Sequence, residues 1–226
     1  IDPVLLAAAV PARAGQSVLD LGCGSGVAAL ALATRVPGLS LFGIEAQAFY
    51  AELASANAAG AGVAFEVVTG DLTDMPAPLR RRQFDHVIAN PPYYLPATRT
   101  AGRDAGREAA HAEATPLAAW IDAAARRTAP RGHVTLIHRA ERLGALLPLV
   151  EARLGSIEVL PLIPRAGRPA ALVLVRARKG GRAALRLHHG LVMHAGPRHS
   201  GDGDDYAPAL RAVLRDAAPL PWPGPR

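Results

Sequence analysis

Apolar positions along the chain fall into two kinds of stretch: short unbroken runs, and longer segments in which they return every three or four residues. Unbroken runs bounded by glycine, proline or acids predict buried strands, and the spaced segments predict helices. On this pattern "SVLDLG" (17–22), "LSLFGIEA" (39–46), "VAFEVVTGDL" (63–72), "FDHVIANPPYY" (84–94) and "GHVTLIHR" (132–139) are five strands. "GVAALALATRV", "AFYAELASANAAG", "PLAAWIDAAARRTA" (116–129) and "AERLGALLPLVEARLG" are the helices between and after them. "SIEVLPLIP" and "AALVLVRARKG" read as a closing strand pair. Residues 96–116, polar and glycine-containing, read as a mobile loop over the strand ends. Strands alternating with helices predict an α/β protein with a doubly wound, mostly parallel sheet and helices on both faces.

The opening "IDPVLLAAAVPARAG" has the apolar stretch of a secretory leader but no basic start, and it leads straight into the first strand, so it reads as a helix. The chain begins without Met, which implies that residues precede Ile1 in the whole protein. From Gly180 onward the composition shifts to Gly, His and Pro, with one short amphipathic segment, "YAPALRAVLRD" (206–216). The expected organisation is one domain over 1–181 and an extension over 182–226 that packs on it or continues it. No apolar run reaches the roughly 18 residues of a membrane-spanning helix.

The candidate chemistry begins at "VLDLGCGSG". Asp20, Gly22, Gly24 and Gly26 form D-x-G-x-G-x-G at the carboxyl end of the first strand, where ligands of doubly wound sheets bind. Glycines there let the backbone approach a ligand without Cβ collisions. A dinucleotide fingerprint is spaced G-x-G-x-x-G and faces a pyrophosphate. Here the glycines alternate and an acid precedes them, which suits a ligand with a cationic amino-acid end. That favours S-adenosylmethionine over NAD. Glu45, ending the second strand, is placed to accept both ribose hydroxyls, and Asp71, after the third, to accept from the adenine amino group.

"NPPY" (90–93) ends the fourth strand, where the transferred methyl should emerge. An exocyclic or amide nitrogen is a poor nucleophile because its lone pair is delocalised. The Asn90 side-chain oxygen and the Pro91 carbonyl can accept its two hydrogens, aiming the lone pair at the methyl, while Pro91 and Pro92 hold that geometry. Tyr93 offers a face on which a swung-out base could stack.

Net charge is +6, with Lys179 the only lysine among many arginines. Such a surface suits phosphates, although an arginine-rich, alanine-rich chain also arises from a GC-rich genome. Within it, Arg176, Arg178 and Lys179 are expected to touch an RNA backbone, and Arg80–Arg82 reads equally as a phosphate site or a solvated loop. The single cysteine, Cys23, excludes a disulfide framework and fits a reducing cytosol. His188, His189, His194 and His199 match no zinc spacing, and "DGDD" (202–205) lacks the closing Glu of a calcium loop, so no metal is expected.

The order and flanks of these motifs resemble bacterial N6-adenine methyltransferases that modify a valine tRNA beside the anticodon. The resemblance runs through "DPVLLAAAVPARAGQSVLDLGCGSG", "GIE", "GDL", "FDHVIANPPYY", "AAWIDAAARR", "RGHVTLIHRAERL" and "VRARKGG", and so covers most of residues 2–181. It implies a Rossmann-like, seven-stranded class I methyltransferase fold, S-adenosylmethionine as cofactor with S-adenosylhomocysteine as product, tRNA as partner, and the cytoplasm as location. Carried over residue by residue, it places Asp20, Gly22, Cys23, Gly24, Gly26, Glu45, Asp71 and Leu72 on the cofactor and Asn90, Pro91, Pro92 and Tyr93 at the acceptor. In that family an acid aligned with Asp2 lies near the cofactor pocket. The tail departs from the family pattern, with Ala207 where Thr is usual and extra residues before Tyr206. Three rivals share parts of the pattern: a protein glutamine methyltransferase, an rRNA guanine N2-methyltransferase, and an inactive cofactor- or RNA-binding module.

Overall fold

The computed structural model describes residues 1–93, 115–196, 198 and 205–224; the loop expected over 96–116, apart from its last two residues, lies outside them, as do His199 and residues 202–204. Strands β1 (Ser17–Leu21), β2 (Ser40–Glu45), β3 (Phe65–Thr69), β4 (Phe84–Ala89), β5 (Thr128–Arg139), β6 (Gly155–Ile163) and β7 (Leu172–Arg178) are joined by the two-residue β8 (Arg186–Leu187) and β9 (Leu191–Val192). The sheet order is β3-β2-β1-β4-β5-β7-β6-β8, with β9 also on β6. β1 to β5 pair in parallel, and β7 inserts antiparallel between β5 and β6. The seven expected strands are therefore present, and the extension adds two more.

Helices α1 (Asp2–Ala9), α2 (Val27–Arg35), α3 (Ala48–Gly60), α4 (Ala77–Arg80), α5 (Leu117–Arg127), α6 (Leu143–Glu151) and α7 (Pro208–Asp216) complete the fold. Because strand side chains alternate between faces, the central strands feed two cores. Leu19, Leu21, Val87 and Ala89 join α5 and α6 on one face. Val18 and Ile88 join α1, α2 and α7 on the other. The α1 C-terminus keeps its carbonyls satisfied by an α2 residue: Arg35 Nη2 donates to Ala7 O (3.1 Å) and Val10 O (2.6 Å).

The extension shares these cores. Leu210, Val213 and Leu220 are buried with α1, and Leu220 N donates to Ala8 O at 2.9 Å. Trp222 lies 3.8 Å from the Arg176 guanidinium and donates from Nε1 to Glu158.

Candidate active site

The carboxyl ends of β1, β2 and β4 and the turns after β1 and β3 surround a cavity of about 780 Å³ lined by Gly22, Gly24, Glu45, Asp71, Leu72 and Asn90, among others. A smaller one, about 180 Å³, opens beside it and adds Asp20, Cys23 and Pro3 while sharing Gly22, Gly24 and Asn90. Asn90 thus lines both.

The turn after β1 is built by left-handed glycines, with φ of 63°, 54° and 85° at Gly22, Gly24 and Gly26. Two of them are needed for different reasons. A Cβ on Gly22 would meet the Trp120 ring at 2.5 Å, whereas one on Gly24 would meet nothing within 4 Å and would project into open space at the cavity wall. Gly26 N-caps α2. Glu45 ties this turn to β2: Oε2 accepts the Gly24 N–H (2.9 Å) and Oε1 the Gln47 N–H (3.0 Å). Both carboxylate oxygens still have lone pairs to offer.

Asp20 is buried at the end of β1, and its Oδ2 has no hydrogen-bond partner among the described residues. Burial pushes its carboxyl up to about 8, with Glu45 adding repulsion and the Ala29 N–H partly offsetting both. A buried acid held partly protonated is suited to a cation arriving beside it. Cys23 contributes its backbone, donating its N–H to Ile44 O (3.1 Å), and burial drives its thiol far above the usual range, so it is no nucleophile. Asp71 caps the short 3-10 turn Leu72–Asp74, with Oδ1 accepting from Thr73 N (2.7 Å) and Thr73 Oγ1 (2.8 Å). These residues fit S-adenosylmethionine: a large cavity with two carboxylates and the apolar walls of Ile44, Leu72 and Trp120 for a nucleoside, and a small one with Asp20 for an ammonium.

At the acceptor end, Tyr93 makes contacts beyond the expected stacking face. Its ring packs edge-on to His138 (5.3 Å between centroids) with the Arg139 guanidinium 5.6 Å away, and its hydroxyl lies 2.7 Å from both Asp2 Oδ2 and Asn90 Oδ1. The ring is half-buried, and its hydroxyl is engaged as well as its edge. Arg176, Arg178 and Lys179, expected at an RNA backbone, each donate to a main-chain carbonyl. Arg176 is largely buried and donates to Ala9 O, Arg178 to Arg131 O (3.2 Å), and Lys179 to Ala125 O (2.5 Å). The antiparallel register sets Arg178 opposite His133, at the end of β5 away from the cavity. Arg82 pairs with Glu66 at 3.6 Å. In the tail, His188 and His194 pair separately with Glu158 (3.0 Å) and Asp205 (2.6 Å). No cluster of metal-ligating residues occurs among the described residues.

Sequence reasoning missed Trp120, Tyr50 and Gln47 as cavity-lining residues. The one available signal was Trp120, a lone large aromatic on an alanine-rich helix.

Residues 3–141 match the model of the methyltransferase small domain family. Two strains of Porphyromonas gingivalis have proteins named tRNA1(Val) (adenine(37)-N6)-methyltransferase that are each 33% identical, over 65% and 71% of this chain and 61% and 68% of their own. A protein of that name from Dickeya chrysanthemi is 29% identical over 81% of this chain and 74% of its own. The matched region thus spans about three-fifths of the first relative's length. A crystal structure from Agrobacterium tumefaciens, described as a predicted O-methyltransferase, superposes with a TM-score of 0.78 at 27% identity, covering 96% of this chain and 97% of that one. With the family model matching more than half its length, the chain belongs to the methyltransferase small domain family.

Proposed function

We propose that this protein transfers the methyl group of S-adenosylmethionine to the exocyclic N6 of an adenine in tRNA, beside the anticodon. When bound, the cofactor supplies an electrophilic methyl carbon on a sulfonium sulfur. Asp20 holds the ammonium end, Glu45 the ribose hydroxyls and Asp71 the adenine amino group, while the Gly22–Cys23–Gly24 turn, Gly26 and Leu72 shape the pocket. The observation that carries the reading is Asn90, which lines both cavities immediately before the Pro91–Pro92 pair.

Asn90 and the Pro91 carbonyl accept the two hydrogens of the target amine. These bonds strengthen as the nitrogen gains positive charge, so they stabilise the transition state more than the ground state. The nitrogen lone pair forms the new N–C bond, the S–C bond breaks with its electrons going to sulfur, and the amine then loses a proton to solvent. The names borne by the relatives support adenine in tRNA as the acceptor.

The test is incubation of the purified protein with methyl-labelled cofactor and unmodified tRNA, followed by mass spectrometry of the nucleosides. N6-methyladenosine supports the reading. Label on guanine N2 or on a protein glutamine assigns one of the alternatives, and no transfer to any acceptor leaves a binding module.

A further inference from the structure

One hydroxyl sits between two oxygens here, and it has only one hydrogen to give. Tyr93 Oη is 2.7 Å from Asp2 Oδ2 and 2.7 Å from the Asn90 side-chain amide. A carboxylate can only accept, and a phenol has one donor and two acceptor sites. The hydrogen goes to Asp2, because a bond to a charged acceptor is roughly twice as strong as one to a neutral amide. The Asn90 atom facing Tyr93 must then be a donor. An amide group has the same shape either way round, and its hydrogen-bond network decides which end is oxygen.

We propose that Asp2, acting through the Tyr93 hydroxyl, fixes the polarity of the Asn90 amide, with Nδ2 donating to Tyr93 and the amide oxygen turned to the substrate amine. This rests on the role given to Asn90 under the proposed function. Only this orientation presents an acceptor to the amine hydrogens; the reverse presents two N–H groups and repels them. Asp2 is a positioning residue reached through α1, and it comes from 88 positions before Asn90 in the chain. The surroundings hold the phenol in place: His138 packs on its ring, Arg139 lies over it, and burial with the Asp2 contact pushes its ionisation far above the usual range, so the hydroxyl keeps its hydrogen.

The experiment uses the full chain and two readouts. In the first, the side-chain NH₂ signals of Asn90, identified by their loss in Asn90→Asp, are followed by ¹H–¹⁵N NMR without RNA. One proton should resonate downfield and exchange slowly in the wild type, and should return to ordinary values in both Asp2→Ala and Tyr93→Phe. In the second, kcat should fall about 10- to 100-fold in Asp2→Ala and in Tyr93→Phe, the range for losing a preorganised polar partner, with KM for both substrates nearly unchanged. The double variant should be no worse than either single one. In an Asn90→Asp background, where both ends of the side chain accept, adding Asp2→Ala should cost less than about twofold by the same reasoning. Asp2→Asn, which keeps an acceptor, should retain more activity than Asp2→Ala and guards against a folding defect. Unchanged NH₂ signals in Asp2→Ala, or an equal loss in the Asn90→Asp background, overturns the relay. A product other than N6-methyladenosine overturns the acceptor assignment instead, and the NMR arm still judges the relay.

Discussion

Glu45 Oε2 accepts the backbone N–H of Gly24 at 2.9 Å, so the acid that ends β2 holds the turn that follows β1. Its other oxygen takes the Gln47 N–H at 3.0 Å, leaving the carboxylate fixed at the cavity wall. Glu45→Ala removes both this brace and the proposed ribose contact. S-adenosylmethionine affinity should fall by roughly 1–3 kcal/mol, the scale for bonds to a charged group. Glu45→Gln should also weaken binding, because its NH₂ end must face one of those backbone donors. Calorimetric affinities equal to wild type in both variants would remove Glu45 from the cofactor site.

Asp20 gives a pH signature. In the free protein burial places its pKa at about 8, whereas a bound ammonium favours the carboxylate. Binding therefore releases a proton, and affinity should rise with pH between about 6 and 7.5, by up to about tenfold per unit. Above that range the ligand's own amino group begins to lose its charge. Titrations in buffers of different ionisation enthalpy should report the proton, and Asp20→Asn should abolish it. A wild-type enthalpy independent of buffer contradicts the assignment.

Two buried imidazoles predict how the fold responds to acid. His86 contacts Gln16 Oε1 through Nε2 (3.0 Å), and its buried Nδ1 has no partner among the described residues. His138 Nδ1 accepts the Arg139 N–H at 2.9 Å. Charging either ring puts a proton where no acceptor waits, and burial lowers both pKa values to about 4. Between about 4 and the ordinary 6.5 the unfolded chain binds more protons, so stability should fall as pH drops through that window. Asp20, raised from 3.8 to about 8, acts in the opposite sense over the same range. Urea unfolding of Asp20→Asn should accordingly show a steeper loss from pH 6.5 to 4.5 than the wild type. Equal slopes would contradict the opposing roles.

Much of this was readable in one dimension because it is local. The runs that form β1 to β4 and residues 132–139 of β5 are continuous, and Asp20, Glu45, Asp71 and Asn90 all stand at or just after strand ends, which the topology brings to one side of the sheet. What escaped was set by distant partners. Arg176 reads as a cation for an RNA backbone on an alternating strand, and only the fold shows Trp222 and the α1 carbonyl of Ala9 beside it. Tyr93 reads as a stacking platform, and nothing in the sequence shows that Asp2, at the far end of the chain, takes its hydroxyl. β8 and β9, with two residues each, have no pattern to detect; they exist because β6 offers an open edge.

An RNA partner implies a salt dependence, and the structure narrows which arginines supply it. Displacing condensed counterions makes affinity fall steeply with salt, and each phosphate contact adds close to one unit of log–log slope. Arg139 is exposed beside Tyr93 at the cavity end of β5, whereas Arg178 lies at the opposite end of the same ladder. Arg139→Ala should weaken tRNA binding and reduce the slope, and Arg178→Ala should change neither. Filter-binding isotherms over about 50–200 mM salt decide it, and a flat wild-type response favours a protein or small-molecule acceptor.

The most direct prediction concerns Asn90, which touches the reacting amine in the proposed arrangement. Asn90→Ala removes an acceptor whose bond strengthens as charge develops on nitrogen. Turnover should fall by about 10²-fold or more, the scale for one preorganised electrostatic partner. Cofactor affinity should hardly move, because Glu45, Asp71 and Asp20 stay in place. A loss confined to kcat marks a bond made mainly in the transition state, whereas a loss confined to KM marks uniform binding. Tyr93→Phe separates two further possibilities. If Tyr93 acted by stacking, the phenyl ring would suffice and the change would be mild; with its hydroxyl between Asp2 and Asn90, the variant should lose turnover while keeping both KM values. Single-turnover rates with saturating cofactor and tRNA distinguish these outcomes, and full turnover by Asn90→Ala would place the chemistry on other residues.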